Sequence, residues 1–175
     1  SIRYTEAPHH ATQIAKECAA AGFDLVVAVG GDGSVNETGA GLIGTSAALG
    51  IIPTGSGNGM ARHLGLPMDF SKAVKLLNDH KKEKIDTLKV NGRFCIGTIG
   101  TGFDAHIAHL FANAGTRGYS TYVKLVLREF ASYQSKKYKL IVDGKTVETE
   151  SFLLTFANSS QFGNNAVIAP FADVK

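Results

Sequence analysis

Two short segments hold most of the reactive chemistry of this chain. Gly30-Gly31-Asp32-Gly33-Ser34-Val35-Asn36-Glu37 sets a carboxylate among glycines, and Pro53-Thr54-Gly55-Ser56-Gly57-Asn58-Gly59 offers a second glycine run with hydroxyl and amide side chains. Glycines let backbone approach an anion closely, and a helix starting at such a loop presents unpaired N–H groups with a favourable dipole. Phosphate suits both segments. Asp32 is the exception, because a carboxylate beside phosphate is repulsive unless a divalent cation or a transferable proton lies between them. The combination points to phosphoryl transfer with Mg²⁺. A plainer account of the first loop is a tight strand-to-helix turn in which glycines supply positive φ and Asp32 caps backbone. The second loop, placed alike and rich in N–H and hydroxyl donors, favours a nucleotide site.

Familiar nucleotide motifs fail on spacing. No GxxxxGK followed by Ser or Thr occurs, and a GxGxxG beginning at Gly31 would need its third glycine where Asn36 stands. HRD and DFG strings are absent as well.

The elements that must position these loops alternate. Residues 11–21 are rich in helix formers and stop at Gly22. Asp24 to Val29 reads as a buried parallel strand. Ser34 stands three residues before Glu37, the spacing of a capping box, which predicts a helix running toward Leu42. Ala47 to Ile52 is the second strand. Asn58 is expected to cap a short helix through Leu64, and Asp69 another reaching about His80. Both glycine loops thus fall at the carboxyl ends of strands, where open α/β sheets bind ligands.

The texture changes from Ile85. Asp86 to Val90 and Arg93 to Ile99 flank Asn91-Gly92, and Tyr138 to Val142 and Thr146 to Phe156 flank Asp143-Gly144, both strong hairpin signals. Helices are expected over 105–112 and about 119–133, the latter with Tyr119, Val123, Leu127 and Phe130 at helical spacing. That stripe reads as core packing, or, with Lys124 and Arg128, as a face toward a bilayer. The reading is therefore an α/β domain over 1–84 and a β-rich, largely antiparallel domain with inserted helices over 85–175. His106 and His109 share a helix face, but two histidines without a third ligand make no metal site.

Composition narrows the class. The 175 residues are 44% apolar and carry a formal charge of +3 without a basic tract, so nothing points to nucleic acid. Two cysteines outside any metal spacing, no apolar run near the ~20 residues of a membrane span and no signal segment fit a cytoplasmic setting.

Together these segments resemble the lipid kinases that include bacterial diacylglycerol kinases, sphingosine kinases and ceramide kinase. Their signatures are GGDGT with a following Asn-Glu, then PxGTGND with Phe-Ala-Arg. Here they stand as Gly30-Gly31-Asp32-Gly33-Ser34 with Asn36-Glu37, and Pro53 to Gly59 with Met60-Ala61-Arg62. Further matches are Thr5 with His10-Ala11, Ile85-Asp86, Gly102-Phe103-Asp104-Ala105, Ala157-Asn158 and Ala169-Pro170. The resemblance implies a nucleotide domain akin to phosphofructokinase and NAD kinase, lacking its first strand, then a β-rich domain incomplete at its end. It implies ATP bound by Thr5, the first glycine loop (Gly30, Gly31, Asp32, Gly33, Ser34, Asn36, Glu37) and Gly55, Ser56, Gly57 and Asn58. Asp32 is implied as the catalytic or Mg²⁺-organising acid and Asp86 as its partner at the metal. Asp104 is either a contact to the substrate hydroxyl or a helix N-cap; Arg117 either reaches ATP phosphates or is an ordinary surface arginine. The implied partner is a lipid substrate met at a membrane surface by a peripheral protein, and a homodimer is compatible with it. Gly59 departs from the Asp usual in diacylglycerol kinases and is closer to the sphingoid-base form. The rival readings are an NAD kinase-like phosphotransferase and a noncatalytic nucleotide-binding module.

Overall fold

The apolar runs at 25–30 and 48–53 pair in parallel. Strand β1 (Leu25–Gly30) and strand β2 (Ala48–Pro53) run in register from Leu25 opposite Ala48 to Gly30 opposite Pro53. This is a computed structural model, and it describes residues 1–79, 81–115 and 118–175. Helix α1 (His10–Ala20) precedes β1, helix α2 (Asp32–Leu42) links the strands, and helices α3 (Gly59–His63) and α4 (Phe70–Asn78) follow β2. The expected end of α4 at His80 lies outside the described residues.

Adjacent residues of a strand face opposite sides, and β2 uses both. A methyl on Gly39 of α2 would lie 3.5 Å from Leu49, and one on Gly50 would lie 3.1 Å from Leu77 of α4. Helices α2 and α4 therefore cover opposite faces of β2, whose last four residues are buried. β1 is less covered than its composition predicts, with Val29 57% exposed, because among the described residues it has a strand on one side only. Helices α1 and α2 close on each other at Gly41, where a methyl would lie 2.5 Å from the Thr12 carbonyl oxygen. Asp69 caps α4 as expected, accepting the Lys72 N–H at 2.9 Å.

Strands β3 (Leu88–Val90) and β4 (Arg93–Cys95) form the first hairpin, antiparallel, with Asn91 and Gly92 at φ +48° and +78°. Positive φ at both central residues is what a type I′ turn requires. The expected strand 93–99 is broken after Cys95, because side-chain amides, not a neighbouring strand, take the N–H and C=O of Ile96. The chain resumes as β5 (Thr98–Gly102), which pairs with β8 (Leu153–Ala157).

By compactness the chain divides into 1–98 with 157–175, and 99–156. The first unit is built around Ala28, Val35, Ile51, Met60, Ala61, Ile96 and Val174, so residues from both loop-following helices and from the end of the chain share one core. The change of texture near 83–86 is a different boundary from this one.

In the second unit, α5 (Phe103–Ala112) packs against α6 (Tyr119–Phe130), and β6 (Lys136–Val142) pairs antiparallel with β7 (Lys145–Ser151) about Asp143-Gly144. The expected strand 146–156 is interrupted at Phe152. Its carbonyl accepts the Phe103 N–H at 2.9 Å and its ring stacks with Phe103, Phe130 and Tyr133. The stripe expected as core on α6 is corrected too: Leu127 and Phe130 are 72% and 62% exposed, while Leu125 is buried with Phe103 and Ile107. Helix α6 turns its 121–125–129 side toward α5, which a single apolar periodicity cannot distinguish. Among the described residues no helix is long and apolar enough to cross a membrane.

Candidate functional site

β1 and β2 end side by side, and each releases a glycine loop at its carboxyl end. The Thr54 N–H donates to the Gly30 carbonyl at 3.0 Å, so the loops leave from the same edge. They touch at once. A methyl on Gly31 would lie 3.2 Å from the Gly55 Cα, and one on Gly55 would overlap Gly31. None of Gly30, Gly31, Gly33, Gly55, Gly57 and Gly59 has positive φ. The positive-φ explanation of these glycines therefore falls, and close approach replaces it at all but Gly33, where a methyl would meet nothing within 4 Å. At Gly59 the approach is to the Gln161 carbonyl oxygen, 2.7 Å from where a Cβ would stand.

Helix α2 begins at Asp32 with Gly31 as N-cap, and no side chain caps it. The Ser34–Glu37 capping box is thus not formed, because the helix starts three residues earlier than that spacing predicts. The Gly31 carbonyl accepts the first helical bond from Val35 at 3.0 Å. First-turn N–H groups have no partner inside a helix, and they lie at the loop junction. The Ser34 carbonyl accepts the Thr38 hydroxyl, and the Glu37 carbonyl accepts the Thr12 hydroxyl, both at 2.8 Å.

Asp32 lies in the first turn of α2 and is exposed. Its Oδ1 accepts the Met60 N–H at 3.1 Å, tying the start of α2 to the first turn of α3. Its Oδ2 faces Gly57, 3.3 Å from where a Cβ would stand, and makes no hydrogen bond among the described residues. Backbone capping therefore uses one oxygen and leaves the other open. Asn58 occupies the N-cap of α3 at φ +54° but does not cap it. Its amide folds back instead, accepting the Gly55 N–H at 3.0 Å and donating to the Gly55 carbonyl at 2.7 Å. Ser56 is exposed at the loop tip.

Asn36 is held the same way, by backbone. It donates to the Phe94 carbonyl at 3.2 Å and accepts the Ile96 N–H at 3.0 Å. Asp86 is exposed, its N–H bonded to the Val174 carbonyl at 2.6 Å and its carbonyl to Asn158 at 2.8 Å. Its carboxylate has no partner among the described residues. Thr5 lies exposed in the irregular N-terminal segment, away from any hydrogen bond among the described residues. Arg117 lies outside the described residues. Burial, with Asp32's charge adding to it, pushes the Cys95 thiol pKa up.

Asp32 and Asp86 each offer an open carboxylate oxygen, a hard ligand of the kind Mg²⁺ takes, one or two at a time, alongside phosphate oxygens and water. Among the described residues no three His, Cys, Asp or Glu side chains form a cluster that could hold a metal, so bound phosphate would have to complete the coordination. His106 instead bonds Glu129 at 2.8 Å.

Asp104 belongs to the 99–156 unit. Gly102 is the N-cap of α5 and Asp104 sits in its first turn, so the N-cap alternative does not hold. Its Oδ1 accepts the Ala105 N–H at 2.8 Å, and its Oδ2 accepts the Thr155 hydroxyl at 3.4 Å and packs over Gly100, where a Cβ would overlap it. Burial raises its carboxyl pKa, against those two hydrogen bonds. Because the folded value is the higher one, its stabilising contribution is complete at low pH and is lost as pH rises through that value. Asp104→Asn is therefore expected to gain stability relative to the parent as pH rises above about 4 and then level off. Thermal unfolding of both proteins from about pH 3 to 7 checks this; a constant difference would refute it.

The sequence reading missed the segment 158–164 as part of the site. Gly163 approaches Gly57 so closely that a Cβ would lie 2.6 Å from it, and Asn164 N–H donates to the Gly57 carbonyl at 3.1 Å. The Ala157-Asn158 and Gly163 positions were the available signal, but nothing local says which loop they brace.

Residues 1–90 match the family described as "Diacylglycerol kinase catalytic domain", and residues 97–175 match "YegS C-terminal NAD kinase beta sandwich-like domain". The chain is 33% identical over 174 residues to a diacylglycerol kinase of Mycobacterium tuberculosis, covering 94% of this chain and 56% of that protein. It is 32% identical to a diacylglycerol kinase of Bacillus subtilis, over 91% of this chain and 55% of that protein. A crystal structure of a diacylglycerol kinase from Bacillus anthracis superposes with a TM-score of 0.75 at 28% identity, covering 99% of this chain and 57% of that one. The chain thus spans a little over half the length of these relatives. Adjoining glycine loops at the ends of parallel strands, an open carboxylate between them and these matches agree: the chain belongs to the diacylglycerol kinase catalytic domain family.

Proposed function

We propose that this chain forms the ATP-binding part, and a portion of the acceptor-binding part, of an ATP-dependent lipid kinase acting on the hydroxyl of a diacylglycerol or a sphingoid base. The observation that carries the reading is Asp32, whose one oxygen ties two glycine loops together while the other stays open between them. In the reaction the lipid hydroxyl oxygen bonds to the γ-phosphorus, the bond from that phosphorus to the β–γ bridging oxygen breaks, and ADP leaves. Asp32 takes the hydroxyl proton or orders the metal; first-turn N–H groups of α2 and the 55–58 loop hold phosphate oxygens. Asp32 and Asp86 would hold Mg²⁺, which when bound would supply charge neutralisation for the phosphates. Phosphoryl transfer has a loose transition state, so such positioning supplies most of the rate. Thr5 is assigned to the nucleotide and Asp104 to the acceptor hydroxyl.

A membrane-surface encounter fits the exposed Leu127 and Phe130 beside Lys124 and Arg128 on α6. Full-length protein with ATP and Mg²⁺ should label diacylglycerol or sphingoid base in a panel that also holds ceramide and NAD. Labelled NADP instead of lipid would overturn the acceptor assignment, and nucleotide binding without any transfer would overturn the enzyme.

A further inference from the structure

Ile96 is gripped from two sides by asparagines. Its N–H donates to the Asn36 Oδ1 at 3.0 Å, and its carbonyl accepts from the Asn158 Nδ2 at 2.9 Å. Each asparagine reaches a second backbone group. Asn36 donates to the Phe94 carbonyl at 3.2 Å, four residues along α2 from Asp32, while the same Asn158 nitrogen donates to the Asp86 carbonyl at 2.8 Å. The backbone N–H of Asn158 donates to the Gly97 carbonyl at 2.8 Å, which fixes the residue against the 94–97 segment. Asn158 is 6% exposed and Ile96 4%, so water is not at hand to replace the buried bond between them.

The contacts form one continuous path: Asp32, the first turns of α2, Asn36, Ile96, Asn158, Asp86. Without the Asn158 amide, the buried Ile96 carbonyl and the carbonyl of exposed Asp86 both lose their donor, and the buried acceptor left unpaired costs about 1–3 kcal/mol. The cheapest relief is for the chain at Asp86 to move away, since the other end of the path sits in packed β4 and α2. Asp86 also depends on its N–H bond to Val174, so it has one tie on each side of its own backbone and none through its carboxylate.

We propose that Asn158 is a positioning residue for the metal site: through the Asp86 carbonyl it sets the place of the Asp86 carboxylate relative to Asp32, with Asn36 as the other half of the device. The proposal rests on the Mg²⁺-dependent reading above. Partners that orient metal-binding groups without touching the ion change affinity by about 10- to 100-fold when removed.

The test is a double-mutant cycle of Asn158→Ser and Asp86→Asn in the full-length protein, read by binding of Mn²⁺ in the presence of a non-hydrolysable ATP analogue. Serine keeps a small donor and spares the core; Asn158→Thr repeats the cycle if the serine variant does not fold. Asn158→Ser is expected to weaken Mn²⁺ binding at least about tenfold, to leave metal-free nucleotide affinity unchanged, and to add no further loss once Asp86 is already Asn. A residue that only stabilises the fold would lower the unfolding temperature while the metal effects stay additive. That additive result overturns the positioning role and leaves the kinase reading standing. If the unmodified protein binds no divalent metal with the analogue, the kinase reading fails and the positioning role fails with it.

Discussion

Asp32→Asn is expected to lower turnover by about 10²–10⁴-fold, the range a positioned acid or base supplies, with nucleotide affinity and unfolding temperature close to those of the parent. The expectation follows from the division of labour between the two carboxylate oxygens. Oδ1 accepts the Met60 N–H, and an asparagine oxygen can do the same, so the tie between α2 and α3 survives. Oδ2 is the oxygen without a partner, and there the amide presents a donor with no charge. It can neither take a proton nor bind Mg²⁺. Asp32→Ala makes the contrast, because it loses both functions. Beyond the same fall in turnover it should unfold earlier, by the roughly 0.5–2 kcal/mol that removal of a helix-terminal cap costs. Steady-state kinetics with lipid and ATP, beside thermal unfolding of both variants, give the comparison. Near-normal turnover in Asp32→Asn would take Asp32 out of the mechanism, and equal stability of the two variants would deny the capping role of Oδ1.

The loops were legible in sequence because their signals are local. Apolar runs of five or six residues, each ending in glycines, state both the strands and the place where they stop, and Asn91-Gly92 and Asp143-Gly144 state their own turns through the φ they permit. What sequence could not show was where polar side chains go over long separations. Asn58 has the type and place of an N-cap, yet it bonds Gly55; Ser34 has the spacing of a capping box, yet the helix has already begun. In both cases a tertiary partner outcompeted the local one, Asp32 for the start of α3 and the packed loop junction for the start of α2. The break in the strand expected over 93–99 has the same origin, since Asn36 and Asn158 come from 60 and 62 residues away. The stripe on α6 failed for another reason: periodicity reports that a helix has an apolar side, and α6 has apolar residues on two.

Gly33 and Gly55 are expected to respond to alanine with opposite signs in stability and the same sign in function. Gly33 has no positive φ, and a methyl there would meet nothing within 4 Å, so the fold has no need of glycine at this helical position. Alanine is the better helix former, and Gly33→Ala should stabilise the ligand-free protein by a few tenths to about 1 kcal/mol. On the proposed function, the open space above Gly33 is nevertheless where phosphate would approach the first turn of α2. The same variant should therefore weaken binding of the ATP–magnesium complex by about tenfold or more, roughly 1.4 kcal/mol. Gly55 is the reverse case in stability, since its methyl would overlap Gly31 and lie 2.9 Å from the Asn58 Oδ1. Gly55→Ala has to push the loops apart, at a cost of about 1–3 kcal/mol typical of overpacking, and parting them also spoils the phosphate cradle. Thermal unfolding without ligand, beside calorimetric titration with the nucleotide, separates the two glycines. A Gly33→Ala protein that is more stable and still binds nucleotide as tightly as the parent would mean that phosphate does not come near this turn, and the assignment of the first loop to ATP would be lost.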